Sequence, residues 1–198
     1  MSTGNSGYPK LASSVATAEI KGLDGAVFNL NDKAGKVILV NLWATWCGPC
    51  RFEIPALVKM QERHGPQGFE VLGLNTDDEE VQAINDFSTG LGVNYPMAYA
   101  DTKLQAAMLK ISKFPGIPQS FLIDRDGRLR GVFRGANPAD IRKMEEVVAK
   151  VVNETPGSPA TSEPEPLREA EAVPGEPEVR REEPVTDKKD AGNKEKKP

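Results

Sequence analysis

The two cysteines of this 198-residue chain stand three positions apart, in the segment Trp46-Cys47-Gly48-Pro49-Cys50. A short apolar run precedes them, Val37-Ile38-Leu39-Val40, and a run of this length bounded by turn residues predicts a buried strand. The residues that follow, 51–63, are predicted to form a helix. This strand–turn–helix order places Cys47 at or just before a helix N-terminus, and the rest of the fold has to be built around it.

A helix N-terminus is a favourable place for an anionic sulfur. Unpaired backbone N–H groups and the positive end of the helix dipole lie there, so we expect the pKa of Cys47 to fall. The thiolate is the nucleophile in disulfide exchange. A static disulfide or a pair of buried thiols stays open as an alternative. A zinc site needs about four ligands, and two cysteines with the single His64 cannot complete one within a monomer, so no metal is expected.

The composition changes near residue 154. From there to Pro198, prolines are mixed with Glu, Lys and Arg, and no aromatic residue follows Phe133. Such a segment has too little apolar surface to offset its ordering entropy, so residues 154–198 are predicted to be a disordered tail. Residues 1–14 are rich in Ser and Gly and are predicted to be flexible. Residues 15–153 remain as one folded domain.

The charge balance, the apolar runs and the first residues of the chain exclude several function classes. The tail carries 12 acidic and 8 basic residues, which leaves 17 of each sign in residues 1–153. A nucleic-acid-binding domain would show a basic surplus, so no nucleic-acid partner is expected. No run of about 18 apolar residues is present, so no membrane span is predicted. The start lacks the basic and apolar regions of a signal peptide, which predicts a cytoplasmic protein unless an export segment lies upstream.

The remaining sequence alternates strand and helix patterns, which predicts a central sheet with helices on both faces. Asp24-Gly25 is a strong turn signal and predicts an N-terminal β-hairpin. The pattern Thr76-x-x-Glu79 predicts a capping box at the start of a helix. Further elements are predicted as strands at 69–74, 96–100, 119–123 and 129–133, and as helices ending at Gly90 and spanning 101–111 and 138–152.

The cysteine segment and two prolines elsewhere in the chain resemble the corresponding residues of a known protein family. The segment from Trp43 to Cys50, after an apolar strand, is similar to the active-site segment of the thioredoxin superfamily. Ile117-Pro118 stands at the usual place of the cis-proline of that fold, and Pro55 matches its kinking helix proline. The resemblance runs from about Val15 to Val152. It implies a thioredoxin-like α/β fold, with a central mixed sheet flanked by helices, the N-terminal β-hairpin and the disordered C-terminal tail.

Within the superfamily, the chain is most similar to the TlpA/ResA-like branch of thiol-disulfide oxidoreductases. Asn41 stands where thioredoxin itself has a buried aspartate, and Glu53 stands where this branch often has an active-site glutamate. An extra strand–helix segment, about Thr76 to Ala100, indicates the same branch. Its members are usually exported or membrane-anchored, which implies an extracytoplasmic or periplasmic location if an export segment is missing from this chain.

The resemblance implies catalytic roles for Cys47, Cys50 and Glu53. Cys47 would attack a substrate disulfide, and Cys50 would resolve the mixed disulfide that forms. Glu53 shares a helix face with Cys50 and would accept its proton if burial raises the carboxyl pKa. Trp46 would offer the substrate an apolar contact. The backbone at Ile117 and Pro118 would pair with an extended substrate segment.

The implied substrates are protein disulfides, and the client protein is left open. Apocytochrome c thiols, copper-site assembly cysteines and general protein disulfides all fit. The electrons would come from an external thiol reductant, either thioredoxin reductase or a membrane thiol reductase. No cofactor is expected, and the protein is expected to be a monomer.

Other interpretations stay open beside this one. The chain could be a thioredoxin-fold redox sensor or adaptor whose tail recruits a partner. A peroxiredoxin-type peroxidase is disfavoured because the proline that its Pro-x-x-x-Thr-x-x-Cys pattern requires is missing. Trp43 is interpreted as a packing residue and Asn41 as a hydrogen-bonded residue beneath the site. His64 is interpreted as a solvated residue at a helix end.

Overall fold

A computed structural model describes residues 7–154 of the chain. Its centre is a seven-stranded mixed sheet with the strand order β2-β1-β5-β4-β3-β6-β7. The antiparallel β1–β2 pair is the predicted N-terminal hairpin. The central mixed sheet together with five α-helices in residues 7–154 confirms the predicted α/β fold. The strands are β1 (Ile20–Gly22), β2 (Val27–Phe28), β3 (Val37–Trp43), β4 (Phe69–Asn75), β5 (Met97–Tyr99), β6 (Gln119–Ile123) and β7 (Leu129–Arg134).

Strand β3 carries the cysteine segment at its C-terminal end. All seven of its residues are buried, as the apolar run predicts. It pairs in parallel with β4 and antiparallel with β6. A strand that is covered on both faces is apolar along most of its length. Its position inside the sheet, between β4 and β6, gives the cysteines a rigid support.

Helices cover both faces of the sheet. Ile38, Val40 and Leu42 of β3 pack with the helix that follows β5. Val37 and Leu39, on the opposite face, pack with the helix after the cysteines and with the last helix. The helices are α1 (Ser13–Ala16), α2 (Gly48–His64), α3 (Val81–Gly90), α4 (Thr102–Ser112) and α5 (Pro138–Asn153).

Helix α3 begins later than its sequence pattern predicts. Its first residue is Val81 and its N-cap is Glu80, so the predicted capping box from Thr76 to Glu79 is wrong. The Glu79 carboxylate instead accepts hydrogen bonds from the backbone and hydroxyl of Thr45 and from the side-chain amide of Asn75. A carboxylate with several donors in reach gains more from these charge-assisted bonds than from one capping bond.

His64 is buried at the end of α2, with 7% of its surface exposed. Its Nδ1 lies 2.9 Å from Oε1 of Gln67, and its ring meets Phe69 edge-on. The prediction of a solvated helix-end residue is therefore wrong. The chain turns back through Gly65–Gln67 into β4, and this return covers the imidazole.

The predicted domain boundaries, with a flexible segment at residues 1–14 and a tail at residues 154–198, stay predictions. Lys10 forms an isolated bridge with Arg128, and α1 begins at Ser13. Residues 1–6 and 155–198 lie outside the described part of the chain. Among the helices of residues 7–154, none combines the length and hydropathy that a bilayer-spanning helix requires.

Candidate active site at the start of helix α2

Cys47 is the N-cap residue of α2. Its backbone is extended, with φ of −76° and ψ of 102°, and its Sγ accepts a hydrogen bond from the Cys50 N–H at 3.2 Å. This is the helix-end position that the sequence predicts. In the reduced protein the same N–H group would face the Cys47 thiolate, and a hydrogen bond to the charged form favours ionisation.

The two cysteine sulfurs are joined in a disulfide, with 1.99 Å between them and 5.3 Å between the Cα atoms. Both residues are nearly enclosed, since Cys47 is 2% exposed and Cys50 is 0% exposed. Both belong to the cluster of buried side chains around Trp43 and Ile54. A substrate therefore has to approach Cys47 across the neighbouring exposed residues. Within residues 7–154, no group of three or more His, Cys, Asp and Glu side chains is placed to hold a metal ion.

Glu53 lies on α2 three residues after Cys50 and is 1% exposed. The side-chain amide of Asn41 donates to its carboxylate at 2.9 Å and also contacts the Ser120 hydroxyl at 3.0 Å. Burial raises the pKa of Glu53 from 4.5 to about 7, and the hydrogen bond from Asn41 offsets part of this rise. The arrangement provides a carboxyl group that can hold or release a proton near neutral pH, three residues after Cys50 on the same helix.

The raised pKa has a consequence for stability. The folded protein keeps the Glu53 proton at pH values where an unfolded chain, with a pKa near 4.5, has lost it, so stability from this group falls as pH rises from about 4.5 to about 7. We expect Glu53→Gln to be more stable than the wild type by up to about 3 kcal/mol above this range. The difference should vanish below it. Urea unfolding of the oxidised protein at both ends of the range measures this.

The matched control for that measurement is Glu62→Gln, an exposed glutamate on the same helix. Its effect on stability should be small, since exposed single charges contribute little. A Glu53→Gln protein whose stability differs from the wild type by the same amount at both ends of the range would contradict the pKa assignment.

The Ile117–Pro118 peptide bond is cis, at the position that the resemblance implies. Ile117 packs against the cluster of buried residues that contains Cys47 and Cys50, so the structure brings this segment to the cysteine pair. The side-chain amide of Gln119 donates to the carbonyl of Gly116 at 2.8 Å and holds the loop on the other side of the proline. Ile117 therefore packs in the same apolar cluster as the cysteine pair, and its role in binding an extended substrate stays a prediction.

Two aromatic side chains are exposed on either side of the cysteine pair in sequence. Trp46 is 67% exposed and Phe52 is 59% exposed. The indole N–H of Trp46 donates to the Asp77 carboxylate, so its orientation is set while its face stays open to solvent. Trp43, in contrast, is fully buried and stacks on Phe87 at 4.8 Å, which agrees with its interpretation as a packing residue.

Sequence reasoning missed several residues near the site. Asp77 and Glu79 contact the two residues before Cys47, and Ser120 contacts Asn41. Burial raises the pKa of Tyr95, and the charge of Glu53 adds to this rise. The acidic run at 77–80 is visible in the sequence, but Thr45 and Trp46 lie more than 30 positions earlier, and no local pattern indicates these contacts.

The profile of the Redoxin family matches residues 10–150. The chain belongs to the Redoxin family. Among curated relatives, the thiol-disulfide oxidoreductase ResA of Bacillus thuringiensis strain Al Hakam is 33% identical over 107 residues, which cover 54% of this chain and 60% of the relative. The chain thus spans less than two thirds of the length of this relative.

The solved structures that this Redoxin-family chain resembles also include thiol-disulfide exchange proteins. A thioredoxin-family thiol:disulfide interchange protein from Chlorobium tepidum TLS is 30% identical with a TM-score of 0.58, covering 68% of this chain and 92% of that one. A secreted thiol-disulfide isomerase from Corynebacterium glutamicum is 27% identical with a TM-score of 0.59, covering 74% and 86%. The resemblance to TlpA/ResA-like members of the thioredoxin superfamily is confirmed, and these relatives support a redox function for the Cys47–Cys50 pair.

Proposed function

We propose that this protein is a thiol-disulfide oxidoreductase that reduces protein disulfides through a Cys47–Cys50 dithiol. The observation that carries the proposal is the position of Cys47 as the N-cap of α2, bonded to Cys50 and beside exposed Trp46. A nucleophilic sulfur at a helix N-terminus next to an open apolar surface suits attack on a disulfide of another protein.

The first step forms a mixed disulfide. The Cys47 thiolate attacks one sulfur of the substrate disulfide, a new sulfur–sulfur bond forms, and the other substrate sulfur leaves as a thiolate that takes a proton from solvent. During this step the substrate backbone would pair with Ile117 beside Pro118, and an apolar substrate side chain would rest on Trp46. These contacts keep the substrate sulfur in line with Cys47.

The second step releases the substrate. The buried Cys50 thiol gives its proton to the Glu53 carboxylate and attacks Cys47, and the second substrate sulfur leaves as a thiolate that is protonated by solvent. Two electrons have moved to the substrate, and the protein is left as the Cys47–Cys50 disulfide. An external thiol reductant then restores the dithiol. Thioredoxin reductase and a membrane thiol reductase are the two candidate sources.

Reduction of insulin disulfides with dithiothreitol as the electron source tests the proposal directly. We expect the wild-type protein to accelerate the precipitation of the insulin B chain well above the rate with dithiothreitol alone, because Cys47 is positioned as a thiolate nucleophile. A wild-type protein that gives no acceleration while its disulfide is still reduced by dithiothreitol would support the non-catalytic sensor or adaptor instead.

A further inference from the structure

The segment that leads into Cys47 is bound by two carboxylates from another part of the chain. Glu79 accepts hydrogen bonds from the backbone N–H of Thr45, at 3.2 Å, and from its hydroxyl. Asp77 accepts one from the indole N–H of Trp46. We call Asp77 and Glu79 the acidic latch. It places two negatively charged carboxylates in hydrogen-bond contact with Trp46 and Thr45, the residues one and two positions before Cys47.

The latch is held in place by the surrounding fold. Asn75 pairs with Trp43 in the register of β3 and β4, which brings the loop after β4 next to the loop after β3. The Asn75 side chain binds both latch residues, donating to the Glu79 carboxylate and accepting from the Asp77 N–H at 2.8 Å. The Tyr99 hydroxyl donates to the Glu79 carbonyl at 2.8 Å. These carboxylates therefore keep a fixed position relative to the cysteine pair.

We propose that the acidic latch destabilises the Cys47 thiolate and thereby makes the Cys47–Cys50 couple more strongly reducing. This inference rests on the proposed function, because it concerns the reduction potential of the same dithiol. A fixed negative charge disfavours a second anion nearby. The latch thus opposes the helix N-terminus, whose Cys50 N–H lies 3.2 Å from the Cys47 sulfur.

Other charged side chains lie on the elements next to Cys47. Arg51 on the first turn of α2 donates to the Thr45 carbonyl at 3.1 Å and lies over the Phe87 ring, and its positive charge favours the thiolate. Glu53, one turn after Cys50, disfavours the thiolate when it is ionised. Asp78 and Glu80 on the latch loop are exposed, as Asp77 is, and within residues 7–154 neither accepts a hydrogen bond from Thr45 or Trp46. The latch carboxylates differ from these two because hydrogen bonds hold them against the cysteine segment.

The redox consequence follows from the exchange with glutathione. One reduced protein dithiol and one oxidised glutathione give one protein disulfide and two reduced glutathiones. A less stable thiolate raises the free energy of the reduced protein, so the equilibrium moves towards the protein disulfide and the couple becomes a better reductant. Removing the latch charge should shift the equilibrium the other way.

The variants Asp77→Asn and Glu79→Gln remove the charge and keep an oxygen that can accept from Trp46 or Thr45. We expect the Cys47 pKa to fall by roughly half a unit in each and by about one unit in the double variant. At a pH well above the Cys47 pKa, the equilibrium constant with glutathione should shift about threefold to tenfold towards the dithiol, which is about 14 to 30 mV. Ultraviolet absorbance of the thiolate gives the pKa, and trapping with an alkylating reagent gives the equilibrium.

The matched control is Asp78→Asn, which lies between the two latch residues and makes no hydrogen bond to Thr45 or Trp46 within residues 7–154. Its effect on the Cys47 pKa should be clearly smaller than that of either latch variant. A Cys47 pKa that stays the same or rises in both Asp77→Asn and Glu79→Gln overturns the proposal. Asp77 is exposed, so its variant decides the matter even if Glu79→Gln folds poorly.

The two proposals fail in different experiments. Thiolate absorbance and the glutathione equilibrium need no protein substrate, whereas the proposed function is tested by insulin reduction. A wild-type protein that does not reduce insulin removes the enzyme assignment and leaves the pKa comparison readable. A Cys47 pKa that falls in neither latch variant removes the latch inference and leaves insulin reduction by the wild type as it is.

Discussion

Replacing Cys47 with serine is expected to abolish the reduction of insulin disulfides, with a loss on the order of a thousandfold or more. Cys47 is the N-cap of α2, where the Cys50 N–H contacts its sulfur, and a serine hydroxyl at this position is not a nucleophile towards a disulfide. Serine is a preferred N-cap residue, so helix α2 should still start at the same place. The loss can therefore be assigned to the missing thiolate, and circular dichroism checks the fold.

The companion variant Cys50→Ser separates the roles of the two cysteines. It keeps the attacking thiolate and lacks the resolving sulfur, so mixed disulfides between Cys47 and client proteins should accumulate. Non-reducing gels and mass spectrometry of the trapped adducts measure this. If adducts accumulate with Cys47→Ser and none form with Cys50→Ser, the proposed assignment of attacking and resolving cysteines is wrong.

Replacing Glu53 with glutamine is expected to slow the release of substrate from the mixed disulfide by about a hundredfold near neutral pH. General-base assistance typically contributes 10² to 10⁴ in rate, and Glu53 is a buried carboxyl with a pKa of about 7. In the wild type, the release rate should rise as pH increases through about 7, because Glu53 must be ionised to accept the Cys50 proton. In the variant this rise should be absent.

Single-turnover decay of a mixed disulfide with a model peptide, followed across the neutral pH range, measures the effect. Glu62→Gln on the exposed side of the same helix is the control and should keep the wild-type profile. A Glu53→Gln protein that retains the step near pH 7 at the wild-type rate would show that another group accepts the proton. The expected gain in stability of the same variant, with its loss of rate, would be a trade-off between stability and activity.

Local sequence patterns predicted the parts of the site that depend on neighbours along the chain. The apolar run before the cysteines predicted β3, and the turn after it predicted the N-cap position of Cys47. The spacing of three residues between Cys50 and Glu53 predicted that they share a helix face. The burial of Glu53 and the cis bond before Pro118 were expected through the resemblance, since spacing alone would also allow an exposed glutamate and a trans proline.

Both errors arise from contacts that a helix pattern does not describe. The capping-box prediction for Thr76 to Glu79 takes account of neighbouring N–H groups alone, whereas the Glu79 carboxylate accepts hydrogen bonds from Thr45, which is 34 positions earlier. The prediction that His64 is solvated rests on the Gly-Pro turn that follows it, but the return of the chain through Gln67 and Phe69 covers the imidazole. The first contact depends on the pairing of β3 with β4, and the second depends on the turn that leads into β4.

Local patterns in the sequence predict the cysteine pair and its place at a strand–helix junction. Hydrophobic periodicity and helix-end preferences act between residues that are near in the chain, so β3, α2 and the Cys47–Cys50 pair could be read directly. The residues that surround the pair depend on how distant parts of the chain pack in the folded protein. The pairing of Trp43 with Asn75 brings Asp77 and Glu79 against the cysteine segment, because strand register sets which loops meet at the edge of a sheet. That register, rather than the cysteine motif, sets the position of these two carboxylates.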